Sequence, residues 1–277
     1  MICFVGQAGS LQRVGDPLPT IANMPLDLAK IRSLRPQNQI HYWTSTTSTM
    51  VEAAKLAAAG APHATVAVAD EQTAGIGRFG RSWLSEADLG LYCSLLLRLS
   101  LPPASLPIAS LLLGLATAEA IQKSTELVCD LRWPNDVLIH ERKVAGILPQ
   151  LLENCVIAGI GINVNHSSFE SGLRTPATSL RIESAGCAQS RENLLVKLLE
   201  SIDTFCSMLT SEGTGAILRA FTSASSYATN RRVVVEENGS AGTTCGLDEN
   251  GFLLIRYDSG RTQRLAAGGV RPERAIG

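Results

Sequence analysis

A chain of 277 residues with 45% apolar side chains is long enough for one large and one small folded unit, and apolar enough for a substantial core. That excludes disorder over the whole chain. The 24 Lys and Arg nearly cancel the 25 Asp and Glu, so the basic excess usual for nucleic-acid binding is missing and no DNA partner is expected.

Only five of the positive residues are lysines: Lys30, Lys55, Lys123, Lys143 and Lys197. A lysine kept in such an arginine-rich chain is slightly informative. Seven scattered cysteines (Cys3, Cys93, Cys129, Cys155, Cys187, Cys206, Cys245) form no CxxC pair and read as reduced core fillers of a cytoplasmic protein. The four histidines show no metal-ligand spacing. Met1 to Val5 lacks the basic lead and length of a signal peptide. The most apolar run, Leu106 to Ile121, contains Glu119 and is shorter than a bilayer span, so no membrane is expected.

In chain order, residues 1–25 mix Gly, Pro and small residues without period and read as a loose tail. A short helix is expected around Leu26 to Leu34, ended by Pro36, and an extended segment from Ile40 to Thr44. Thr49 and Glu52 form a capping-box pattern for a helix closed by Gly60. Strands follow at 64–70 and 91–99, with a glycine-rich loop between them. A core helix is expected over about Ser105 to Lys123. Next come a strand into LRWP, a hairpin through 137–142 into KVAGILPQLL, and a strand over 156–165. The Ser-, Gly-, Thr- and Pro-rich segment 166–178 reads as a surface loop, and Arg191 to Leu209 as a helix. After Tyr227, short strand patterns are separated by Asn-Gly, Glu-Asn-Gly and Ser-Gly turns, the mark of a small antiparallel barrel.

Gly75-Ile76-Gly77-Arg78-Phe79-Gly80 matches GxGxxG, a dinucleotide-binding pattern, but no helix opens after it. No Lys-Ser or Lys-Thr closes it as a Walker loop. The arginines suggest another reading. Glycines let backbone approach a ligand, and Arg78 and Arg81 bring permanent charge to an anion that must be enclosed. An exposed hairpin with ordinary surface arginines is the bland alternative.

Four segments in order, STM (48–50), EQTAGIGRFGRSW (71–83), RWPNDVLIHERKVAGIL (132–148) and GIGINVN (159–165), resemble the bacterial biotin–protein ligase family, of the type without an N-terminal DNA-binding domain. The small C-terminal barrel also resembles that family's architecture, so the likeness spans residues 40–275. It implies an α+β fold, with a mixed sheet flanked by helices as in biotin/lipoate ligase catalytic domains, and a small C-terminal SH3-like β-barrel. The expected division is a tail over 1–25, a catalytic biotin- and ATP-binding domain over 26–226 and the barrel over 227–277.

Carried over position by position, the resemblance places biotin against Ser48, Thr49, Gln72, Gly75, Ile76, Gly77, Arg78, Lys143 and Gly146. It places ATP against Arg78, Arg81, Trp83, Asn135, Lys143 and Asn163. Biotin's polar ureido head on an apolar body needs a few fixed donors and acceptors in a greasy pocket. Joining a carboxylate to a triphosphate needs cations where charge builds. Lys143, Arg78 and Asp136 are the catalytic candidates. Asp136 reads either as the base that deprotonates an acceptor lysine or as a ligand for Mg2+. Blander readings stand beside these: helix capping for Ser48 and Thr49, a surface lysine for Lys143, an Asx turn for Asn135, and a strand-end cap for Asn163.

Three positions depart from the family pattern. Met50 stands where the family has Asn, Ile76 where it has the first loop arginine, and Arg132 where it has lysine. The implied activity is synthesis of biotinyl-5'-AMP from biotin and ATP, with Mg2+, then transfer to a lysine of a biotin carboxyl carrier protein. A homodimer is compatible with the family. A lipoate ligase of the same fold and a non-catalytic biotin-binding module are the competing readings.

Overall fold

The structure, a computed structural model, describes residues 25–273 apart from 100 and 154. The tail expected over 1–25 lies, but for its last residue, outside the described residues. Helix α1 (Leu28–Leu34) leads into β1 (Ile40–Thr46), α2 (Thr49–Ala58), β2 (Val66–Gln72), β3 (Gly90–Leu97) and α3 (Leu106–Thr125). Then come β4 (Asp130–Arg132), β5 (Asp136–Ile139), β6 (Arg142–Leu152), β7 (Cys155–Asn163) and α4 (Leu180–Glu183). Two further helices, α5 (Arg191–Glu212) and α6 (Thr214–Ala224), complete the larger unit. The seven strands form one mixed sheet in the order β1-β2-β3-β7-β6-β5-β4, in which β1 and β2 alone run parallel.

Strand side chains alternate between faces, and this sheet uses the two faces differently. Val66, Val68, Leu95, Leu97 and Ile160 join the main core with α3, whereas Ala67, Leu96 and Ile157 join a small cluster with Met50 and Ala53 of α2. The α3 face is filled with large aliphatics. The α2 face carries alanine and glycine, which leaves room for a cavity.

Helix α3 is buried through its middle from Ile108 to Thr117 and packs on β4, β5 and β6. By length and composition it passes for a membrane span, yet it is the central core helix, with 72% of its most apolar window buried. The cap of α2 falls one residue earlier than the capping-box pattern suggests. Ser48 is the cap, its Oγ accepting from the Met50 amide at 3.3 Å, and Glu52 accepts instead from the Thr46 hydroxyl at 3.0 Å. Helix α6 was not anticipated. Arg191, at the start of α5, donates to Asp70 at 2.9 Å and Asp88 at 3.0 Å, pinning that helix to the end of β2.

Strands β8 (Thr229–Val235), β9 (Ala241–Leu247), β10 (Leu253–Tyr257), β11 (Thr262–Leu265) and β12 (Val270–Pro272) form an antiparallel sheet ordered β11-β10-β9-β8-β12, which fits an SH3-like unit. Its turns use Gly239, Gly251 and Gly260 at φ of 71°, 86° and 79°, as the Asn-Gly and Ser-Gly pairs foretell. Val233, Leu253 and Ile255 belong to the same core as α3, and Trp133 Nε1 donates to the Gly251 carbonyl at 2.9 Å. The small sheet is thus packed onto the large unit. Five cysteines are free thiols as expected, but Cys187 is disulfide-bonded, which corrects the all-reduced reading.

Candidate active site

A cavity of about 600 Å³ opens on the α2 side of the sheet. Its floor is the β6–β7 pair, where Gly146 lies opposite Gly161 and Leu148 opposite Gly159. The glycines are there for space. A Cβ on Gly161 would sit 2.5 Å from Trp83 Nε1, one on Gly146 2.9 Å from Trp83 Cζ3, and one on Gly159 2.5 Å from Met50 Sδ. The indole of Trp83 therefore packs against two of them and the thioether of Met50 against the third.

One end of the cavity is polar. Gln72 Oε1 accepts from the Thr49 amide at 2.8 Å and from its hydroxyl at 3.1 Å, while Gln72 Nε2 donates to Ser85 Oγ at 2.8 Å. Thr49 Oγ1 also lies 2.8 Å from the buried Ser94 Oγ. Ser48 and Thr49 are almost fully buried, so their polar atoms meet protein partners or a ligand and not bulk water. Capping and lining hold together for Ser48.

Residues 75–83 form a tight hairpin, with Trp83 N donating to Gly75 O at 2.8 Å and Gly77 N to Arg81 O at 2.7 Å. At its tip Phe79 adopts φ 58°, an uncommon left-handed backbone for a bulky residue. The guanidiniums of Arg78 and Arg81 lie 4.8 and 5.7 Å from the centre of its ring. Arg78 Nη1 donates to Gly268 O at 2.8 Å, in the turn between β11 and β12, and to Asn135 Oδ1 at 3.2 Å. Burial lowers its proton affinity and nearby Asp136 and Glu236 oppose that, so the guanidinium stays charged.

Lys143 and Arg132 converge on one carboxylate. Lys143 Nζ lies 2.5 Å from Asp136 Oδ1, and Arg132 Nη2 lies 2.5 Å from Asp136 Oδ2. Burial alone would raise the Asp136 carboxyl, but the two cations outweigh it and hold it below the usual carboxylate range. Lys143 Nζ also lies 5.2 Å from the centre of the Trp83 ring, whose own Nε1–H is buried without an acceptor in the protein. Asn135 is tied to β6 by Nδ2 donating to Ile147 O at 3.0 Å. Asn163 Nδ2 donates to Thr178 O at 3.0 Å, which fits its strand-end cap reading.

The matching family model is that of the biotin/lipoate A/B protein ligase family, over residues 41–166. The bifunctional ligase/repressor BirA of Bacillus subtilis (strain 168) is 34% identical over 227 residues, covering 79% of this chain and 70% of that protein. The biotin–[acetyl-CoA-carboxylase] ligase of Mycobacterium tuberculosis is 31% identical over 255 residues, covering 86% and 94%. The chain belongs to the biotin protein ligase family. A solved structure of the biotin protein ligase from Aquifex aeolicus, in complex with biotin and ATP, superposes with a TM-score of 0.72 at 31% identity. It covers 86% of this chain and 99% of that one.

In this ligase every site residue anticipated from the resemblance borders the one cavity, from Ser48, Thr49 and Gln72 through Gly75, Ile76, Gly77, Arg78, Arg81 and Trp83 to Asn135, Asp136, Lys143, Gly146 and Asn163. Sequence reading missed other walls. The 166–178 segment, expected to be a surface loop, contributes Leu173, Arg174 and Thr175, and the small sheet contributes Glu236 and Gly269. Ser85 and Ser94, which complete the polar end, are ordinary serines in sequence. Their signal is only their contact with Gln72 and Thr49.

Proposed function

We propose that this ligase condenses the biotin carboxylate with the α-phosphate of ATP, releasing pyrophosphate. It then passes the biotinyl group from biotinyl-5'-AMP to a lysine of a biotin carboxyl carrier protein. One observation carries the reading. A single cavity joins the recess of Ser48, Thr49 and Gln72 to a cationic end formed by Lys143 and Arg78.

The recess suits the ureido head, and the apolar walls that Trp83, Met50 and Leu148 turn to the cavity suit the apolar body. The cations then stand where carboxylate and triphosphate meet. Both anions repel each other, so fixed positive charge lowers the barrier to their approach and the negative charge that grows on the leaving pyrophosphate. No covalent enzyme intermediate is needed. Cys93, which borders the cavity, is fully buried and its thiol is pushed up to about 12, so it is not a nucleophile at neutral pH.

Asp136 takes a different role from the two first considered for it. With both oxygens on cations and its proton affinity lowered, it is a poor base for the acceptor lysine. We assign it as the positioning residue of Lys143. Nor do the residues fit a protein-held metal. Among the described residues no group of three His, Cys, Asp or Glu is placed to hold one. Magnesium, on this reading, enters on the phosphates.

The purified full chain, given biotin, MgATP and a carrier domain, should release pyrophosphate and biotinylate the acceptor lysine. Equal or better use of lipoate would overturn the choice of biotin within the shared fold.

A further inference from the structure

The segment between β7 and α4 is held against the cavity by three anchors. Thr175 Oγ1 accepts from Arg132 Nη2 at 2.9 Å. Lys143 N donates to Pro176 O at 2.7 Å and Thr178 N to Lys143 O at 2.9 Å, so backbone pairing fixes the segment beside the catalytic lysine. The third anchor is Arg174. Its Nη2 lies 3.2 Å from Glu236 Oε2 and donates to Glu236 O at 3.1 Å, across to the small sheet.

This last anchor differs in kind. The Arg174 side chain is 47% exposed, whereas Glu236 is 14% exposed. Arg174 therefore still turns donors to solvent while it is paired, and a stronger anion can draw on them. It borders the same cavity as Arg78 and Lys143, and a triphosphate is such an anion. Glu236 would repel that triphosphate if left unneutralised. Its charge acts on Arg78 too, beside the larger effect of Asp136 there, so Glu236 faces two arginines that border the cavity.

We propose that Arg174 is a further nucleotide-binding residue, taking the β- and γ-phosphate oxygens of ATP, and that Glu236 is the counter-ion on which it rests without nucleotide. The proposal builds on the reading of the cavity as the adenylation site. The guanidinium fork supplies bidentate hydrogen bonds to phosphate, and Arg78 remains to offset Glu236 when Arg174 turns to the nucleotide. The backbone anchors at Pro176 and Thr178 keep the segment in place while the side chain swings. Arg174 thus acts on binding, while Lys143 acts on the reacting centre.

The test is steady-state pyrophosphate release by the full chain, for wild type, R174A, R174K and E236Q, with KM measured separately for ATP and biotin. R174A should raise KM for ATP by about tenfold to a hundredfold, as for loss of a charge-assisted hydrogen bond. Its kcat and its KM for biotin should stay near wild type, because uniform binding is what is lost. R174K should recover part of the loss, and E236Q should lower KM for ATP by releasing the arginine. Melting temperatures of the four proteins monitor the clasp itself. If KM for ATP is unchanged in R174A, or if R174A and E236Q raise both KM values together with a drop in melting temperature, Arg174 only staples the loop to the small sheet and the proposal falls. A wild-type chain that makes no adenylate at all would overturn the functional reading first.

Discussion

Asp136 and Lys143 face each other across the β5–β6 hairpin with Nζ 2.5 Å from Oδ1, and a second cation, Arg132, takes the other oxygen. A lysine held this way has one place to put its charge, beside the cavity floor and under Trp83.

Lys143→Ala should therefore slow adenylation by orders of magnitude with a smaller change in KM for biotin, since its charge counts most in the transition state. Asp136→Asn should lose less than Lys143→Ala, because the amine remains but its aim is relaxed. Pyrophosphate exchange measures both. Near-normal turnover in Lys143→Ala would make it a surface lysine.

On the proposed reading, replacing Arg78 should separate making the adenylate from keeping it. Its guanidinium, held at the loop tip by Asn135 and the Gly268 carbonyl, can close on the phosphate that remains after pyrophosphate leaves. Charge-assisted hydrogen bonds are worth roughly 1.5–3 kcal/mol, so Arg78→Gly should speed adenylate escape about tenfold to a hundredfold. The released adenylate should then label lysines on a bystander such as albumin. A mutant that makes no adenylate and labels nothing would place Arg78 in the first step instead.

The strands and helices of the large unit were legible because their apolar periods are strong, and the site strings were legible because each is local in sequence. What escaped was long-range. Arg174 meets Glu236 from 62 positions away, and neither residue sits in a motif. The Ser-, Gly- and Pro-rich 166–178 segment looks like solvent-facing loop by composition, yet Pro176 and Thr178 pair with Lys143 and bring it over the cavity. Helix α6 did carry a signal, with Ala216, Ile217 and Phe221 at helical spacing on its buried face. Its Thr, Ser and Gly content masked it. The pairing of Asp136 was not legible either, because the cations that take both its oxygens come from β4 and β6.

The glycine floor gives a steric prediction. Gly161→Ala puts a methyl group 2.5 Å from Trp83 Nε1, on the strand beneath the ring. Overpacking of this kind costs about 1–3 kcal/mol, so the indole should be displaced and biotin affinity should fall. Calorimetric titration with biotin checks it. Gly114→Ala, whose added methyl would meet only Leu131 Cδ2 at an ordinary 3.7 Å, serves as the comparison and should leave biotin affinity alone. Equal affinity in wild type and Gly161→Ala would show that Trp83 is not confined by the floor.

His166 makes stability depend on pH in a defined direction. Its ring is buried, neither nitrogen has a hydrogen-bond partner in the protein, and it stacks on Phe169 at 5.1 Å. Burial lowers its pKa from 6.5 to about 4. Glu86 approaches only to 3.8 Å and is 53% exposed, so it offers little compensation. Between those two pKa values the unfolded chain takes up a proton that the folded chain refuses. Stability must therefore fall as pH drops through about 6.5 to 4, and level off above that window. At about 1.4 kcal/mol per pKa unit, the loss is on the order of 3 kcal/mol by the lower limit. Carboxylates titrate in the same range, so the measurement is a difference. Urea unfolding of wild type and His166→Asn at several pH values should give curves whose separation shrinks as the pH falls, because the variant lacks this proton. Parallel curves across the window would mean that the folded protein protonates His166 as readily as the unfolded chain does, and the buried, unpartnered ring would then carry no linkage.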